Sequence, residues 1–280
     1  MPYSAEISRA NPSCFVFLID QSGSMENPLP GTDNRRKADS VADAINRLLQ
    51  NLVIKCARGE GVRNFYEVAV IGYGEAVGHA FSGPLAGRQL VPLSDIATQP
   101  ARIEERKKYG VNGNGNGSRT EHLVKFPIWF EPHAKGVTPM GEAIQQTVEL
   151  LTPWVAAHPR SYPPIVINIS DGAATDTGPV PQATALRQLA TEDGEVLFFN
   201  CHISDQPTKP VVFPADDDEL PDDFARTLFE VTSPLPDNLA EQARSEGMEL
   251  PADARGFAFN ADLTELIRFL DLGTRSGRLR

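Results

Sequence analysis

The chain has 280 residues, 41% of them hydrophobic, enough for one large α/β core or two small ones. A formal charge of −11 argues against an electrostatic grip on nucleic acid or on anionic lipid, so neither partner is expected. No early apolar run is long enough for a signal-peptide core or a membrane span, and a cytoplasmic location is expected.

Residues 14–19 (CFVFLI) are apolar without a break, the pattern of a parallel strand buried on both faces. The run ends in Asp20. Ser22 and Ser24 follow at alternate positions, and Gly23 allows a turn tight enough for three oxygen side chains to face one point, a cradle for a hard cation. An amphipathic helix is expected over 38–56, with Val41, Ile45, Leu48, Leu49, Leu52 and Val53 on one face. Residues 67–74 (EVAVIGYG) read as a second strand, and 77–82 as an antiparallel edge strand turning back on it. Gly72-Tyr73-Gly74 followed by Gly78 mimics a dinucleotide fingerprint, but strand rather than helix follows, so no nucleotide is expected.

The rhythm breaks at about 94–135, an insertion holding a basic patch (Arg102, Arg106, Lys107, Lys108), an NGNGNG run over 112–117 and FPIWF over 126–130. At about 40 residues it is long for a loop, and a surface insertion with a mobile middle is favoured over a ligand- or partner-contacting loop. Trp129 and Phe130 are expected to pack as a strand. Helices follow at 140–154, 182–191, 222–230, 238–246 and 262–272, with strands at 165–169 (IVINI), 196–203 (VLFFNCHI) and 257–259. An acidic segment at about 205–223 ends in ADDDELPDD; a solvated face is expected there, because the spacing of a calcium loop is absent. Cys14, Cys56 and Cys201 are odd in number and far apart, so buried apolar roles fit better than a disulfide or zinc. His133 is expected at the surface. The alternation of elements predicts one α/β domain over 1–280. Its core is a doubly wound, mostly parallel six-stranded sheet with one antiparallel edge strand and helices on both faces.

Further oxygen donors come from two later segments. Thr138 stands in GVTPM ahead of a helix, with Pro139 suited to the first helical position; Thr138 is either a ligand or simply the N-cap. Asp171 ends the IVINIS strand. In a doubly wound sheet, ligands sit outside the carboxyl ends of the strands where the winding switches, so neighbouring strands ending in Asp20 and Asp171 would bring five oxygens together. Such donors suit magnesium, which takes six oxygens and retains water. Neutral hydroxyls on Ser22, Ser24 and Thr138, with carboxylates held one shell out, leave the ion under-neutralised and able to attract an outside carboxylate.

The DxSxS of residues 20–24, the Thr-Pro-x-Gly-Glu of 138–142 and the Ser-Asp-Gly of 170–172 together resemble the metal-ion-dependent adhesion site of von Willebrand factor type A (VWA) domains. The resemblance spans nearly the whole chain in element order. It implies a Rossmann-like fold and a non-catalytic protein-binding module. By resemblance, Ser22 and Ser24 bind Mg2+ directly, with Mn2+ or Ca2+ as substitutes, and Thr138 joins them when ligand is engaged. Asp20 and Asp171 then act mainly through water, and the partner offers an Asp or Glu carboxylate. Movement of Thr138 would be coupled to the last helix. Within the family the chain is most similar to the cytoplasmic bacterial branch associated with tellurium-resistance and stress clusters, at VPLSD (91–95) and DGAATD (171–176). The insertion and the acidic segment depart from the compact pattern.

Two other classes compete. A phosphohydrolase would use Asp20 as nucleophile, but it wants a carboxylate where Ser22 stands, and no lysine lies near a strand end in the sequence. A scaffold would use the metal only to tie loops together.

Overall fold

The computed structural model describes residues 2–30, 32–59, 61–111, 119–176, 178–203 and 209–274. Chain order in the first half is β1 (Ser13–Asp20), α1 (Lys37–Cys56), β2 (Tyr66–Tyr73), β3 (Val77–His79), β4 (Val91–Pro92), α2 (Leu93–Thr98), β5 (Arg102–Val111) and β6 (Arg119–Ile128). The second half holds α3 (Met140–Ala157), β7 (Ile165–Ser170), α4 (Val180–Gln188), β8 (Leu197–Ile203), β9 (Val211–Val212), α5 (Asp223–Val231), α6 (Asp237–Ser245), β10 (Phe257–Ala261) and α7 (Leu263–Gly273).

The central sheet runs β9-β10-β8-β7-β1-β2-β3, with β4 paired to the other end of β2. The pairs from β10 through β2 are parallel, while β3, β4 and β9 are antiparallel additions. The class is the expected one, and the six predicted strands are all present. The sheet is larger by β4 and β9, two-residue strands too short to leave a periodic trace.

Strand β1 lies at the centre because both its faces are apolar. Phe15, Phe17 and Ile19 face α1, α6 and α7, whose Ile45, Leu49, Leu239, Leu266 and Phe269 share their cluster. Cys14, Val16 and Leu18 face α3, α4 and α5 through Ile144, Leu186 and Leu228. Truncating a buried phenylalanine such as Phe17 to alanine would cost about 3–5 kcal/mol. Cys14, Cys56 and Cys201 are buried free thiols.

The insertion is more ordered than expected. It opens with α2 and continues as a ten-residue antiparallel hairpin, β5 against β6, in register from Arg102↔Ile128 to Val111↔Arg119. The 112–117 run lies outside the described residues. The hairpin's base is fixed to α1 by one buried side chain: Asn46 Oδ1 accepts the N–H groups of Trp129 (2.8 Å) and Phe130 (3.0 Å), and its Nδ2 donates to Phe130 O (2.8 Å). Trp129 and Phe130 are buried, and Phe130 bridges to Phe81. In the acidic segment, Asp222 is a helix cap: its Oδ1 accepts the Ala225 N–H at 2.8 Å.

Candidate metal centre

Strands β1 and β7 are parallel neighbours with Ile19 opposite Ile169, so Asp20 and Ser170 leave the sheet side by side. From β1 the chain passes to α1 on one face, and from β7 to α4 on the other. The winding therefore switches between these two strands, which is where such sheets hold ligands.

A continuous set of short hydrogen bonds fills this crevice. Asp20 Oδ1 accepts the Ser22 N–H (2.8 Å) and Oδ2 accepts the Ser170 hydroxyl (2.7 Å). Ser24 Oγ donates to Asp171 Oδ1 at 2.6 Å, which leaves the Ser22 hydroxyl as donor in the 3.0 Å contact between the two serine oxygens. Asp20 is only 1% exposed. Burial pushes its carboxyl up to about 6; the bonds from Ser22 and Ser170 oppose that rise, and the charge of Asp171 adds to it.

Lys37 is the residue that the sequence reading missed. As the first residue of α1 it sends Nζ to within 3.0 Å of Asp171 Oδ2, and the two side chains are 3% and 0% exposed. The expectation that no lysine lies near a strand end is therefore corrected. In sequence Lys37 stands far from Asp20 beyond a polar loop, and that loop folds back so that the Lys37 N–H reaches Asn27 O (2.9 Å).

Thr138 is buried and held between two loops. On one side, Gly23 N–H donates to Gly136 O (3.0 Å) and Lys135 N–H to Gln21 O (2.6 Å), joining its loop to the DxSxS turn. On the other, Thr138 N–H donates to Thr175 Oγ1 (3.0 Å), and Thr138 O accepts the Thr175 N–H (2.9 Å). Pro139, not Thr138, occupies the cap of α3; the Glu142 N–H is instead taken by Asp176 Oδ2 at 2.9 Å. Thr175 and Asp176 thus position the third loop. Their signal in the sequence is DGAATD (171–176), which carries a family likeness but no spacing that points to this contact.

The Gly-Tyr-Gly run exists because three loops meet there. A Cβ on Gly74 would lie 2.5 Å from Gln21 O and 2.7 Å from Lys135 O, and one on Gly72 would strike the Gln21 side chain. Gly136 has φ +92, a conformation that favours glycine, and a Cβ there would lie 2.5 Å from Glu75 N. Beneath the crevice a buried polar row ties the strands together. Tyr73 Oη donates to Asn168 Oδ1 (2.7 Å), Asn168 Nδ2 to Asn200 Oδ1 (3.0 Å), and Asn200 Nδ2 to Thr232 Oγ1 (2.8 Å). Each contact is satisfied, so the row fixes the relative positions of β2, β7 and β8. His133 is exposed.

The donor set fits a small hard cation. The 3.0 Å between the two serine oxygens matches the edge of an octahedron whose oxygens lie about 2.1 Å from its centre. Among the described residues no three His, Cys, Asp or Glu side chains gather as a metal-ligand group. No helix among the described residues is long and apolar enough to cross a membrane.

No protein-family model and no curated protein sequence matches the chain. Solved structures that resemble it include VWA2, the ArnB paralog of Sulfolobus acidocaldarius (14% identity, TM-score 0.35, 72% of this chain and 36% of that one). The pilus adhesin SpaC of Lactobacillus rhamnosus GG is similar at 14% identity and TM-score 0.46, over 95% of this chain and 31% of that one. The vWF domain of the type V pili tip protein Mfa5 from Porphyromonas gingivalis is similar at 17% identity and TM-score 0.31, over 58% and 38%. The chain thus spans 31 to 38% of the length of these structures.

Proposed function

We propose that this chain is a non-catalytic, divalent-metal-dependent binding module in which an ion at Ser22 and Ser24 captures an acidic side chain of a partner protein. The observation that carries this reading is the bonded run Asp20, Ser22, Ser24, Asp171 at the switch of the winding. Bound Mg2+, with Mn2+ or Ca2+ as substitutes, would supply an open coordination position. The protein's residues set its charge. With both carboxylates ionised, Asp20, Asp171 and the buried Lys37 carry one net negative charge, so a divalent ion leaves one net positive charge facing outward. A carboxylate is the ligand that such a site attracts. Thr138 is the hydroxyl we assign to complete the set when ligand arrives, coupled to α7, and Asp20 and Asp171 act through water. The chain would serve in a cytoplasmic bacterial stress or signalling assembly, of the tellurium-resistance type.

The test is capture of host proteins by the immobilised chain in magnesium and in EDTA. Partners retained in magnesium and lost both in EDTA and with Ser22→Ala support the reading; equal retention in EDTA overturns it. Lys37 places a lysine beside the end of β7, one of the two features a phosphohydrolase needs besides Asp20, so that alternative keeps its own test. Ser22 still stands where the second carboxylate would be needed. Turnover of a generic phosphate ester that disappears in Asp20→Asn would replace the binding reading by the enzymatic one.

A further inference from the structure

We infer that Lys37 is a resident counter-cation of the crevice. It holds the site closed and stable without metal, and it keeps the affinity for a divalent ion low enough for exchange. The inference rests on the metal-binding reading above and goes beyond it to a positioning residue that none of the three motif segments contains.

Four observations support it. The Lys37 ammonium is almost fully buried and lies 3.0 Å from Asp171 Oδ2, whose carboxylate is itself inaccessible. Its pairing leaves Asp171 only Oδ1 to offer toward the serines, and Ser24 holds that oxygen at 2.6 Å. Lys37 begins α1, the helix that also carries Asn46, so its position is set by a packed element and not by a mobile loop. The main-chain bond from Lys37 N–H to Asn27 O (2.9 Å) closes the loop that follows the DxSxS turn and fixes where the stem begins.

The chemistry follows from charge. A carboxylate buried with an ammonium is neutralised in place, so the crevice has no unpaired Asp171 charge when metal is absent. An ion arriving at Ser22 and Ser24 meets the ammonium across the Asp171 carboxylate, whose two oxygens contact Ser24 and Lys37. Even at the dielectric of water, repulsion between a double and a single positive charge on the order of 6 Å apart weakens binding about tenfold. By holding Oδ2, Lys37 also turns Asp171 away from direct ligation and toward contact through water.

Mn2+ serves as the probe, with its free-ion electron paramagnetic resonance signal reporting affinity. Lys37→Met should bind Mn2+ about tenfold or more tightly than the wild type. Its metal-free melting temperature should fall, and Mn2+ should raise it by more than it raises that of the wild type. Lys55→Met, which removes an exposed lysine paired to Asp271 at 3.7 Å on the same helix, should change neither. A second comparison covers the case in which Lys37→Met folds poorly. In Asp171→Asn and the double variant Lys37→Met/Asp171→Asn, position 171 carries no charge, and the double variant should again bind Mn2+ about tenfold more tightly than Asp171→Asn alone. Mn2+ binding by the wild type with equal affinities within both pairs would overturn the role of Lys37 and leave the metal site standing. Binding by none of these chains would overturn both.

Discussion

Ser24 Oγ donates to Asp171 Oδ1 at 2.6 Å, joining the turn after β1 to the end of β7 across the switch of the sheet. This bond links two motif segments 147 residues apart, just over half the chain. Ser24 is exposed, so its removal should leave folding almost unaffected, within about 0.5 kcal/mol. Ser24→Ala should nevertheless lose tenfold or more in Mn2+ affinity, on the order of 1.4 kcal/mol. Thermal melting and Mn2+ titration on the same sample separate the two effects. A large loss of stability with unchanged Mn2+ affinity would mark Ser24 as structural only.

The pH response of the metal-free chain should carry the signature of Asp20. Its carboxyl is raised by burial from 3.8 to about 6, so between those values the folded chain holds a proton that the unfolded chain releases. Its contribution to stability is full below pH 3.8 and is lost as pH rises through about 6, amounting to about 3 kcal/mol. Denaturant unfolding from pH 4 to 7 should show this fall, and Asp20→Asn should remove it. Because a bound ion requires the ionised carboxylate, Mn2+ affinity should run the opposite way, weakening below pH 6.

Gly136 tests the convergence of the loops. Its φ of +92 and the 2.5 Å approach that a Cβ would make to Glu75 N leave no room for a side chain. Gly136→Ala should cost about 2–3 kcal/mol and weaken Mn2+ binding by displacing the Thr138 loop. Gly172, where a Cβ meets nothing within 4 Å, is the matched control, and Gly172→Ala should be close to neutral in stability.

Asn46 tests whether the insertion belongs to the core. Asn46→Ala leaves the N–H groups of Trp129 and Phe130 and the carbonyl of Phe130 without their present partner. The expected loss is about 3 kcal/mol or more in chemical denaturation. A change below about 0.5 kcal/mol would show that the hairpin is only loosely attached.

The sequence carried the sheet and the motif segments because both are local signals. β1, β7 and β8 are apolar on both faces, a pattern that a run of bulky residues displays unaided, and DxSxS fixes its own turn. The hairpin was illegible for the opposite reason. Ile103 and Leu123 are 55% and 64% exposed, and Arg102, Glu104 and Arg106 pair along one face, so no apolar alternation marks the strands. Helix α2 has six residues, fewer than two turns, and offers no period to read. Lys37 was hidden because its place depends on the path of the loop between the DxSxS turn and α1. Thr175 and Asp176 act through the backbone N–H groups of Thr138 and of Glu142 in the first turn of α3, which spacing along the chain does not encode.

The most direct measurement is a titration of the metal-free wild type and Ser22→Ala with Mn2+, followed through the resonance of the free ion. The expected result is saturation at one ion per chain for the wild type, and loss of that binding in a Ser22→Ala chain that still melts cooperatively. Equal uptake by the two chains, or none by the wild type, would contradict a metal centre on the paired serines.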